Sequence, residues 1–176
     1  MGENMPIVYK SGLQDSDLNA LEFALNVVLP SSYRQFLGRM NGCYLTDPDY
    51  GQLSLPAIDD GVISFDRLFG VTPDEGCNDL VDFNTEFIDE LSFVGGVLAI
   101  GEDGGGNPYV LVCEQGREGI YYWDRTHLHE CDSINKFDIA EQNGCGHLYF
   151  IAKNIDGFLG MLVSALGGDV IMKKEE

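Results

Sequence analysis

An α+β fold follows from three features of this 176-residue chain. Apolar residues recur at helical spacing near the N-terminus, three strands joined by tight turns follow Val97, and a last apolar stripe precedes Gly167. No internal repeat, low-complexity tract or linker interrupts this order. The expectation is a single domain over residues 1–176: N-terminal helices, a central antiparallel β meander, and a C-terminal helix packed on the sheet.

Leu18, Leu21, Leu25 and Val28 form the first stripe, with Asp15 or Ser16 placed to cap its first turn. Pro30 ends that helix, because the residue before a proline is pushed out of helical geometry. Ser31 or Ser32 then caps a second helix with Tyr33, Phe36, Leu37 and Met40 on its inner side. Gly42, after Asn41, supplies a left-handed closure. From Cys43 to Ile58 the chain is polar and contains prolines, which suits an irregular connection or a weak strand. Residues 61–65 read as a short strand or turn running into Leu68 and Phe69.

A third helix is expected from Asn78 to Leu91, with Leu80, Phe83, Phe87 and Leu91 on one side. Asp79, Asp82, Glu86, Asp89 and Glu90 gather on another. Strand Val97–Gly101 follows, then a turn around Asp103–Asn107 and a strand at Tyr109–Cys113. Glu114–Gly119 turns again into Ile120–Asp124. The Gly104-Gly105-Gly106 run gives the first of these turns its positive φ values. A further strand is expected near His127–Cys131. Leu148, Ile151, Ile155, Phe158, Leu159 and Leu162 then read as one C-terminal helical stripe.

Charge separates the classes of partner. Ten basic and 29 acidic residues leave a net charge of −19. Such a field rejects nucleic acid and anionic membrane, and it speeds encounter with cations. The acidity is uneven: between Cys43 and Gly104 stand 14 acids and one base, Arg67. On the third helix Asp79 and Asp82 suit the dipole, whereas Glu86, Asp89 and Glu90 oppose it. No lysine or arginine on that helix relieves them, so a partner that supplies cations fits. No apolar run is long enough to span a bilayer, and the first residues lack the features of a signal peptide. Five scattered cysteines suit reduced thiols in the cytoplasm rather than a disulfide framework.

No catalytic or metal-binding chemistry is expected. The Gly101–Gly106 segment leads to a strand and not a helix, and its two acids repel phosphate, so it is no dinucleotide fingerprint. His127, His129 and Cys131 would share one face of a strand, with Cys145 and His147 nearby. They lack the close cysteine pair of a structural zinc site. Asp47, Asp49 and Gly51 do not form a calcium loop. No spacing singles out a cysteine–histidine dyad. Trp123 and its tyrosine neighbours suit a core or sheet surface better than a ligand box.

Leu29-Pro30 with Tyr33, Phe36, Leu37 and Asn41-Gly42, then Ile100-Gly101 with Asp103, Gly105-Gly106-Asn107 and Tyr109, resembles the SUKH superfamily. The Phe150–Leu162 stripe is similar to that family's C-terminal helix, and the match spans a core of about residues 15–165. The family includes the fungal cell-wall-synthesis regulator and many bacterial immunity proteins. Two departures stand out: a long segment from Cys43 to Gly61, and the acid content of the helix after Asn78.

The resemblance implies a non-enzymatic, cofactor-free module that binds a protein. In bacteria that partner is often a toxin of a polymorphic or contact-dependent system. Joined to the charge, it predicts a cytoplasmic immunity protein, monomeric or weakly dimeric, that blocks a basic nuclease or nucleic-acid deaminase. The alternative is a regulatory scaffold with no toxin partner. Contacts are expected at Glu86, Asp89 and Glu90, at Glu102 and Asp103, and at Asp59 and Asp60.

Overall fold

The computed structural model describes residues 6–46, 51–58, 60–71, 79–86, 88–92, 94–126, 128–129 and 147–176. Among the described residues, ten strands are distributed over two sheets, with four α-helices around them. The elements run β1 (Ile7–Ser11), α1 (Asp15–Leu25), α2 (Ser31–Arg39), β2 (Met40–Leu45), β3 (Gly51–Ser54), β4 (Val62–Phe65) and β5 (Arg67–Leu68). Then come α3 (Leu80–Glu86), a 3-10 turn at Ile88–Leu91, β6 (Val97–Glu102), β7 (Pro108–Val112), β8 (Gly119–Asp124), β9 (His147–Ala152), α4 (Ile155–Ala165) and β10 (Met172–Lys174).

The larger sheet has the order β10-β1-β2-β5-β6-β7-β8-β9, and β3 pairs only with β4. Neighbours in the large sheet are antiparallel except β10, which lies parallel to β1. The expected meander is β6-β7-β8. Every residue of β7 and β8 is buried, which requires cover on both faces of the sheet and explains why these strands read as unbroken apolar runs. Phe158 of α4 packs its ring 5.8 Å from that of Phe65 and 5.2 Å from that of Tyr109. The α+β class and the docking of the C-terminal helix on the sheet are as expected.

Several elements differ from expectation, each for a physical reason. Helix α1 stops at Leu25, because Asn26 adopts a left-handed conformation (φ 50°), and Val28 is 82% exposed rather than part of the stripe. Its capping residue is Gln14, whose backbone N–H donates to Asp17. Gly42 does not close α2, which passes directly into β2. Its positive φ (81°) instead lets that strand pass close to Leu68, Phe69 and Gly70.

The third helix is broken: α3 ends at Glu86 and a 3-10 turn follows. The start of that expected helix, Asn78, and Phe87 lie outside the described residues. The C-terminal stripe is two elements. Leu148 and Ile151 belong to β9, and Asn154 starts α4 by accepting a bond from the Gly157 N–H at 2.9 Å. Leu128 and His129 lie in a turn and not a strand, while Cys131 lies outside the described residues.

Candidate protein-interaction face

The acidic hairpin turn is built around one carboxylate. Gly104 (φ 83°) and Gly106 (φ 96°) curl the backbone between β6 and β7. Into that curl points Asp103. Its Oδ1 accepts from the N–H groups of Gly105 (2.7 Å) and Asn107 (3.0 Å). Its Oδ2 accepts from Asn107 Nδ2 (3.0 Å) and the Tyr122 hydroxyl (2.9 Å). Asn107 is buried, and its own Oδ1 accepts from the Thr126 backbone and hydroxyl at 2.9 and 3.0 Å. Asp103 therefore holds the turn together, and its oxygens already carry four donors.

The other residues of the sequence motif also face inward. The Asn41 carboxamide donates to the Val71 carbonyl at 2.8 Å and accepts from the Val71 N–H at 2.6 Å, as a paired strand residue would. A Cβ on Gly42 would lie 2.8 Å from the Leu68 oxygen and 2.9 Å from the Gly70 nitrogen. The buried Tyr109 hydroxyl donates to the Ser64 carbonyl. Burial holds the Tyr109 phenol well above its ordinary pKa, with the Asp103 charge adding to the effect. These residues set the fold.

Strand register brings part of the acidic set to one end of the large sheet. Arg67 sits opposite Glu102, and Glu102 opposite Pro108. The Arg67 Nε lies 2.6 Å from Asp66 Oδ2 and 3.7 Å from Glu102 Oε1, so the one base between Cys43 and Gly104 is shared by two acids. Arg125, directly after β8, donates to Glu90 from Nη2 (2.7 Å) and Nε (3.1 Å). Its guanidinium also lies 5.9 Å from the centre of the Trp123 ring. This bond brings Glu90 to the end of the sheet that carries Glu102 and Asp103.

Asp89, beside Glu90 in the 3-10 turn, is exposed. Asp60 is exposed as well, but it lies before β4, at the opposite end of that strand from Asp66. Asp59 and the side chain of Glu86 lie outside the description. The candidate acids thus divide three ways: Asp60 and Asp89 open to solvent, Glu90 shared with Arg125, and Glu102 and Asp103 committed within the fold. Sequence spacing missed the Glu90–Arg125 pair because its members are 35 residues apart.

Nucleophilic and metal chemistry find little support in the described residues. Cys43 is fully buried, and burial pushes the Cys113 thiol up to about 11, which leaves it protonated at neutral pH. His129 is buried in the turn after β8, where its backbone N–H donates to Asp124 Oδ2 at 2.7 Å. Its supposed companions His127, Cys131 and Cys145 lie outside the described residues. Among the described residues no group of three His, Cys, Asp or Glu side chains converges as a metal site would require. No described helix is long and apolar enough to cross a membrane.

A search of curated proteins finds no match to the chain. A family model described as the SMI1 / KNR4 family (SUKH-1) matches residues 12–161. That span runs from the start of α1 into α4 and takes in the inward-facing Asn41-Gly42 pair and the Asp103–Tyr109 turn. With most of its length matched in this way, the chain belongs to the SMI1 / KNR4 family (SUKH-1).

Proposed function

We propose that this protein is a cytoplasmic immunity protein that binds a basic toxin, a nuclease or nucleic-acid deaminase, and blocks it without catalysing any reaction. Family membership supports a protein-binding module. The observation that carries the sharper reading is the charge: −19 overall, with 14 acids against one base between Cys43 and Gly104. An enzyme that grips phosphates needs a basic surface, and an acidic protein can occupy that surface in place of nucleic acid. Barnase–barstar and the colicin DNase–immunity pairs follow this logic, with steered association reaching about 10⁸–10⁹ M⁻¹s⁻¹.

Contacts are assigned first to Asp60 and Asp89, the acids open to solvent, then to Glu90 and to Glu86 and Asp59. Glu102 and Asp103 contribute charge to the field rather than direct contacts. The test is neutralisation in cells. Co-expression of this chain with the toxin encoded beside its gene is expected to rescue growth, and rescue should weaken in a variant carrying Asp60→Lys with Asp89→Lys. Full rescue by that variant removes those acids from the interface. An adjacent locus with no toxin reading frame, and no rescue, overturns the immunity reading in favour of the regulatory scaffold.

A further inference from the structure

A second surface, made by two segments about a hundred residues apart in sequence, has the features of a docking groove. It runs between β3 and the outer side of α4. Leu53 and Ser54 form one wall, and Gly160, Met161, Ser164 and Ala165 the other, enclosing about 500 Å³ of mainly apolar space. No described side chain fills it: a Cβ placed on Gly160 meets nothing within 4 Å. Val62 stands beside the groove on the neighbouring strand. It is paired with Ser54 across the β3–β4 ladder and is 41% exposed.

The two chain spans that build this groove carry acids and no base of their own. From Gly51 to Asp66 and from Asn154 to Ile171 the sequence contains no lysine or arginine, while Asp59, Asp60, Asp66, Asp156 and Asp169 fall within those spans. Asp156 is met by Arg39 at 3.5 Å and Asp66 by Arg67 at 2.6 Å. Among the described residues no basic side chain pairs with Asp60 or Asp169. Asp60 stands two residues before Val62 and Asp169 four after Ala165, so the two lie in the segments that flank the walls.

We propose that this groove receives an aliphatic side chain from a basic protein segment, with lysines or arginines on either side of that side chain meeting Asp60 and Asp169. The small residues Gly160 and Ser164 let the partner's backbone approach α4 closely. Leu53 and Met161 provide the apolar floor on which its side chain loses contact with water. The acidic flanks reject an acidic or nucleic-acid ligand and attract a cationic one. The inference rests on the reading of the protein as a binder of basic partners, and it names the anchor that bare charge leaves out.

The test uses the full-length protein and two synthetic peptides, one with a leucine flanked on each side by lysines, the other with glycine in place of the leucine. Amide chemical shifts are followed by NMR during titration. The leucine peptide is expected to shift Leu53, Ser54, Gly160, Met161 and Ser164, and to bind about tenfold or more tightly than the glycine peptide, the ratio expected for burying one leucine. Gly160→Leu, which has room to fold, should remove that advantage while leaving the thermal midpoint unchanged or raised. Equal affinities for the two peptides, or shifts scattered over the acidic surface, overturn the groove. That result leaves the immunity reading intact, because growth rescue by the whole chain needs neither peptide.

Discussion

Asp103 and Tyr122 meet across 19 residues of sequence through one hydrogen bond of 2.9 Å, which ties the β6–β7 turn to the middle of β8. The bond makes the acidic turn rigid and explains why an acid stands there. Burial first, then the neighbouring Asp103 charge, hold the Tyr122 phenol protonated well above its ordinary range. Asp103→Ala strands the buried Tyr122 hydroxyl and frees three further donors, and should cost about 3 kcal/mol in urea unfolding. Tyr122→Phe loses one bond and should cost about 1 kcal/mol. The double variant should fall short of the sum; strict additivity would mean that the two groups do not interact.

Asn84 closes a gap in the sheet. Strand β5 is only two residues long, so on that side β6 has no strand partner at Ala99, which pairs with Val110 of β7 on the other. The Asn84 carboxamide supplies one, donating to the Ala99 carbonyl at 2.8 Å and accepting from its N–H at 2.7 Å, with a further bond to Leu80. Asn84→Ala leaves both buried Ala99 groups unpaired and should cost roughly 2–4 kcal/mol. Hydrogen exchange at the Ala99 amide should accelerate beyond what the global loss explains. Wild-type protection at Ala99 would contradict this role.

Alkali should unfold the protein. The phenols of Tyr33, Tyr109 and Tyr122 are raised chiefly by burial, and the Cys113 thiol is pushed up to about 11 by the same cause. In the unfolded chain these groups lose protons near about 10 and 8.5 respectively, so above those values the unfolded state binds fewer protons and stability falls as pH rises. Their contribution is complete below about pH 8 and is lost progressively above it. The urea midpoint should therefore drop between about pH 9 and 11, and Cys113→Ala should remove the earliest part of the drop. A flat midpoint across that window would contradict the burial of these groups.

Asp60 and Asp89 are exposed surface acids, so replacing them should not disturb the fold. Asp60→Lys with Asp89→Lys should leave the thermal midpoint within about 3 °C of wild type while slowing association with a basic partner. A large loss of stability would move these residues from the interface into the structure.

Much of the fold was legible because its pattern is local. The meander announced itself through short apolar runs separated by glycine turns, and α2 through Pro30, Tyr33, Phe36 and Leu37. Elements defined only by their neighbours were not legible. β1 and β10 are short and partly polar; β1 is a strand because it pairs with β2 and β10, and β10 because it pairs with β1. Leu148, Ile151 and Ile155 sit at helical spacing, yet Asn154 caps between them and the first two lie in β9. The candidate acids were legible as charge but not as geometry: nothing in the sequence tells that Asp103 is bonded inward while Asp89 faces water. The β3–α4 groove was invisible, since its walls are distant in sequence and one of them is partly glycine.

The most direct measurement is the association rate of this protein with the basic toxin proposed as its partner, followed by stopped-flow fluorescence at increasing salt. Docking of an acidic exterior onto a basic site predicts fast association at low salt that slows at least tenfold as added salt shortens the screening length from about 30 to 10 Å, and a shallower dependence for Asp60→Lys with Asp89→Lys. Association that is indifferent to salt, or tight binding to a partner with no basic surface, would contradict the account.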